Sequence, residues 1–137
     1  MSQWTHVSGI ILLDYLTFLI GDPKEIKSLL SENIPTGSEG PVEFRIHKRD
    51  DRWSDTDPRW GYIAIFGDLR DYYGSDETIG KVKDWFYHVC QSLVSQKFIV
   101  RQAVVSIEVE FGGTWFIRFK DNKDSVMSKE IEDSLVS

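Results

Sequence analysis

Apolar residues recur along this chain in two rhythms, a step of two that marks strands and steps of three or four that mark helices. Residues Thr5 to Leu13 run apolar on both faces toward their end and predict a central first strand. Leu16, Phe18 and Leu19 predict a short turn or helical segment behind it. A helix then starts sharply, with Asp22 as N-cap, Pro23 at the first helical position and Glu25 completing a capping box. Ile26, Leu29 and Leu30 form its apolar face. It stops before Pro35, because the residue preceding a proline is pushed out of the α region.

The stretch Pro35 to Pro41 is rich in turn formers, and behind it Val42, Phe44 and Ile46 alternate with Glu43, Arg45 and His47 as a half-buried strand. Lys48 to Arg59 is dense in charges of both signs and predicts a loop. Trp60 to Phe66 is apolar on both faces, a second central strand, which Gly67 and Asp68 are expected to end. Ser75 or Asp76 caps the longest helix, along which Ile79, Val82, Trp85, Phe86, Val89, Cys90 and Leu93 form an apolar stripe.

Two strands follow, Ile99 to Phe111 and Trp115 to Lys120, joined at Gly112-Gly113. A two-residue turn would mix polar and apolar side chains on both faces, so a three-residue loop, Gly112 to Thr114, is expected. That loop pairs Phe111 with Trp115 and Ile107 with Phe119, and sets Glu108 opposite Arg118.

The order β-α-β-β-α-β-β predicts an α+β fold, a ferredoxin-like antiparallel sheet with an additional C-terminal hairpin strand, built as one domain over residues 1–120. Residues 121–137 form a polar tail, in which Val126, Met127, Ile131 and Leu135 are the anchors of a short, weak helix. A different α+β sheet with the same element order is the alternative.

Composition narrows the class. A chain of 137 residues that is 41% hydrophobic and 28% charged reads as globular. Its net charge of −6 argues against broad binding to phosphate backbones or anionic membranes. Cys90 is the sole cysteine, which rules out an intrachain disulfide and fits a reducing compartment. The most apolar stretch, Gly9 to Ile20, is broken by Asp14 and too short to span a bilayer, so a cytoplasmic protein without a membrane anchor is expected.

Candidate chemistry is sparse. In the charged loop, Trp53 sits among Arg49, Arg52 and Arg59, the residue types that anchor protein interfaces. The alternative is a solvated connection whose Trp53 folds back on the sheet. Asp50, Asp51, Asp55 and Asp57 lack the glycine and distal Glu of a calcium loop, and the neighbouring arginines can neutralise them, so no metal is expected. His6, His47 and His88 stand on separate elements without ligand spacing. Cys90 lies on an apolar helix face, where a thiol packs as a small hydrophobe. No cofactor motif is present, and none is expected to bind.

Arg59-Trp60-Gly61-Tyr62-Ile63-Ala64-Ile65-Phe66 resembles the third strand of RNA-recognition motifs, a family with the same element order whose aromatics stack bases. The resemblance implies a nucleic-acid contact through Arg59, Trp60 and Tyr62, although Trp60 intrudes between Arg and Gly and Ala64 replaces the middle aromatic. Trp4-Thr5-His6-Val7, the segment Pro35 to Gly40, and Ile65 to Asp71 resemble blocks in small uncharacterised accessory proteins of tailed bacteriophages. That similarity implies a factor acting in the cytoplasm of an infected host. The leading expectation is a non-enzymatic protein-interaction factor whose partner is another protein or a second copy. The alternative is a nucleic-acid-binding module. A small enzyme would instead gather Asp14, Asp68, Arg70 or a histidine from distant positions into one pocket.

Overall fold

A computed structural model describes residues 4–15, 23–48, 60–70, 76–96, 98–119 and 126–130. The elements run β1 (Trp4–Tyr15), α1 (Pro23–Ser31), β2 (Thr36–Gly37), β3 (Gly40–Pro41), β4 (Glu43–Lys48), β5 (Trp60–Arg70), α2 (Asp76–Ser95), β6 (Phe98–Val109), β7 (Gly113–Arg118) and β8 (Val126–Glu130). Among the described residues six strands form one sheet in the order β4-β5-β1-β6-β7-β8, and every neighbouring pair is antiparallel. β2 and β3 make a two-stranded ribbon from the turn-rich segment before β4. The protein is therefore α+β, with two helices and an antiparallel sheet among the described residues.

Alternation along the strands sends one set of side chains to the helices and the other away from them. Val7, Ile11 and Leu13 of β1, Ile63, Ile65 and Leu69 of β5, and Val105, Ile107 and Val109 of β6 are buried in one cluster with Ile26 and Leu30 of α1 and the stripe of α2. All seven apolar positions of that stripe are buried, from Ile79 to Leu93. Within the core the Trp85 indole N–H donates to the Leu30 carbonyl oxygen at 2.9 Å, tying α2 to the end of α1. Asn33 takes a left-handed φ of 54° just past α1, a residue type that tolerates this conformation at helix ends.

Three expectations are corrected. Gly67 and Asp68 do not end β5, which continues to Arg70 because these residues pair with Val7 and His6 of the longer β1. The β6–β7 loop has three residues, but they are Glu110 to Gly112 rather than Gly112 to Thr114. The loop starts two residues earlier and the register is displaced by four, so Ile107 faces Trp115, Val105 faces Ile117, and Arg118 lies opposite Val104 rather than Glu108. The cause is backbone geometry: Gly112 N–H closes a turn on the Val109 carbonyl at 2.9 Å, and Gly113, at φ 94°, re-enters the strand where a side chain would be strained. Phe111 leaves the core face altogether. Finally, Val126 and Met127 belong to a strand and not a helix, since 126–130 pairs with the outer edge of β7.

Candidate functional site

Lys48 closes β4 rather than opening the charged loop, and the rest of that loop lies outside the described residues, with Arg49, Arg52, Trp53, Arg59 and the aspartates weighed as cation ligands. Trp60 opens β5 and pairs with Asp14 of β1, but the side chains of both also lie outside what is described. The sheet face opposite the helices is where the described residues offer a surface.

Cross-strand rows define that face. Phe66, Ser8, Ser106 and Phe116 stand side by side on β5, β1, β6 and β7. The two serine hydroxyls share a hydrogen bond of 3.0 Å, so the phenylalanines rise on either side of a low floor. One row along, Ala64, Ile10 and Val104 extend the apolar floor, with Arg45 and Arg118 at its two ends. On the other side of the serines, His6 stands between Asp68 and Glu108, its Nδ1 2.5 Å from Asp68 Oδ1. Tyr62 shares this face, and the ring of its β4 neighbour His47 stacks on it at a centroid distance of 4.6 Å. The surface is thus apolar at its centre and carries charges of both signs at its rim. Phe66 keeps 42% of its area exposed there.

At the end of the sheet beyond His6, Arg70 pairs with Glu39 at 2.8 Å and Trp4 lies opposite Arg70. Glu110 N–H donates to the Trp4 carbonyl at 3.0 Å, which fixes the base of the β6–β7 turn against β1. Its tip is Phe111, 91% exposed and held at φ 64°. Sequence reasoning missed this residue because its place in the alternation of β6 assigned it to the core. The signal was the following pair of glycines, read as the turn itself when only Gly112 lies within it.

A groove of about 590 Å³ lies between the chain leaving α1 and the polar side of α2. It gathers His88, one of the expected ingredients of an enzyme site. Asp68 and Arg70 belong instead to the sheet, where Asp68 meets His6, so the groove does not gather them with His88. No group of three His, Cys, Asp or Glu among the described residues is arranged to hold a metal ion. Cys90 is fully buried, and burial pushes its thiol far up from its ordinary pKa, which leaves it without the thiolate a nucleophile needs. No described helix is long and apolar enough to cross a membrane. No protein-family model, curated protein or solved structure matches the chain.

Proposed function

We propose that this chain is a non-enzymatic protein-interaction factor, which meets its partner through the sheet face opposite the helices and the adjoining β6–β7 tip. Phe111 carries the reading. A β-turn with positive φ at its third residue normally takes glycine there, and a phenylalanine costs on the order of 1–2 kcal/mol of strain. Its ring returns nothing within the described fold, being 91% exposed. A large aromatic held on a strained position and offered to solvent is what an interface anchor requires. The apolar centre and charged rim of the adjoining face fit the anatomy of protein interfaces. The short-block similarity to phage accessory proteins supports a role on host or phage machinery in a cytoplasm. The order β4-β5-β1-β6, with α1 following β1 and α2 following β5, supports the finer reading of a ferredoxin-like core widened by β7 and β8.

A nucleic-acid role has Tyr62 and Phe66 in its favour, since both lie on the face that stacks bases in RNA-recognition motifs. Against it stand the His47 ring already stacked on Tyr62, the mixed charges of the face, and the net charge of −6. Fluorescence anisotropy with single-stranded RNA should show no binding at physiological salt, and submicromolar binding lost in Tyr62→Ala would reverse the ranking.

Affinity capture with the immobilised protein, followed by mass spectrometry, tests the first reading. Phe111→Asn and Phe66→Ser should each weaken the captured partner by about 2 kcal/mol, roughly thirtyfold, while the fold persists. Trp53→Ala examines the charged loop in the same experiment. A partner that binds both phenylalanine variants undiminished removes the sheet face and the turn from consideration.

A further inference from the structure

We infer that the groove between α1 and α2 is a separate binding site for a short basic peptide segment, one Lys or Arg side chain of which lies between Glu32 and Asp84. The inference does not rest on the sheet face, which is on the other side of the sheet from both helices. Local structure builds the groove. α1 stops at Ser31, Asn33 turns the chain at positive φ, and Ile34-Pro35-Thr36 then runs past α2. On α2, Lys81, Asp84 and His88 recur at three- and four-residue steps and therefore share one side.

Its floor is apolar, made by Ile34, Pro35 and the buried Trp85. The indole N–H is already spent on the Leu30 carbonyl, so Trp85 offers the groove only ring surface. A volume of about 590 Å³ exceeds what one amino-acid side chain fills and suits a segment of several residues.

Three charges decide the sign of the guest. The Asp84 carboxylate makes no hydrogen bond or ion pair among the described residues. Glu32 lies 3.9 Å from His88 Nε2, beyond hydrogen-bond reach, and keeps acceptor capacity. The C-terminal, negative end of α1 points here, and its last turn has no basic residue to offset it. Lys81 is the opposing charge, its ammonium 3.9 Å from Glu77, one helical turn back along α2, so a single Lys ammonium stands against the two carboxylates of Glu32 and Asp84. The overall charge of −6 draws a basic partner in the same direction.

The test is a titration of ¹⁵N-labelled protein with an acetylated, amidated Leu-Arg-Leu-Arg peptide, followed by amide shifts. Saturable shifts should centre on residues 32–36 and 81–88, and the matching Leu-Glu-Leu-Glu peptide should produce none. Asp84→Asn and Glu32→Gln should each weaken binding about two- to fivefold, the range of an exposed ion pair. Glu43→Gln removes the same charge from the sheet face opposite the helices, beside Phe66, and should leave binding unchanged. All three side chains are exposed, so the variants are expected to fold, and an unchanged amide spectrum verifies it. Shifts scattered over the surface, a preference for the acidic peptide, or equal weakening by Glu43→Gln overturns the assignment, the last by showing attraction to net charge alone.

Discussion

The indole Nε1–H of Trp85 reaches across the helix layer to the Leu30 carbonyl at 2.9 Å, so one side chain of α2 satisfies a backbone acceptor in the last turn of α1. Trp85 is also buried in the main core, at 3% exposure. The two roles separate by substitution. Trp85→Ala removes ring and donor and should cost about 3–5 kcal/mol. Trp85→Phe keeps most of the packing but strands a buried carbonyl, at about 1–3 kcal/mol. Urea denaturation reads both, and an unchanged midpoint for the alanine variant contradicts the placement of α2.

Gly9 lies at the centre of β1, between Ile65 of β5 and Val105 of β6. A Cβ there would stand 2.5 Å from the Val104 carbonyl oxygen and 2.9 Å from Val105 Cα. Both are backbone atoms of a central strand and cannot swing aside. Gly9→Ala should therefore destabilise by about 1–3 kcal/mol, as overpacking does. Ser8→Ala, one residue earlier, loses only an exposed hydroxyl contact and should cost under about 1 kcal/mol. Thermal unfolding of the pair checks the contrast, and equal midpoints rule out the close approach at Gly9.

Legibility in the sequence followed the strength of the periodic signal. The stripe of α2 has seven apolar positions at helical steps, and each is buried. In the β6–β7 hairpin the faces were readable but the register was not. A slide of one residue exchanges the faces, whereas any even slide preserves them, so alternation alone cannot separate 107 opposite 119 from 107 opposite 115, four residues apart. Positive φ at Phe111 and Gly113 makes that choice. β8 has no alternation to read, and its pairing comes from the edge that β7 offers. Gly67 and Asp68 signalled a strand end, but a long β1 beside them extends the ladder to Arg70. The groove was hidden because its two walls, 32–36 and 81–88, are distant in sequence.

Cys90 provides a pH-dependent prediction. Desolvation raises its thiol from an ordinary value of 9.0, so the thiol should resist a disulfide reagent in the native protein and react once urea unfolds it. The linkage has a definite sign. Above pH 9.0 the unfolded chain gives up this proton while the folded chain keeps it. The stabilisation is whole below that pH and is lost as pH climbs toward the raised folded-state value, by about 1.4 kcal/mol per pH unit. Denaturation midpoints at about pH 8 and about pH 10.5 should fall further apart in the wild type than in Cys90→Ala. An identical fall in both proteins would assign the loss to other groups.

Phe111 should be a residue whose removal strengthens the fold. The Val109–Gly112 turn places it at φ 64°, where a Cβ crowds the backbone, and its ring is 91% exposed. Asn enters this left-handed region far more readily and, unlike Gly, adds little freedom to the unfolded chain. Phe111→Asn should raise stability by about 0.5–1 kcal/mol, with no packing to forfeit. Glu110→Asn, at the neighbouring turn position of ordinary φ, relieves nothing and should bring no gain. Chemical denaturation of the two variants decides it. A Phe111→Asn protein less stable than wild type would mean that the ring packs against the fold, and the interaction surface would then have to rest on Phe66 and its row alone.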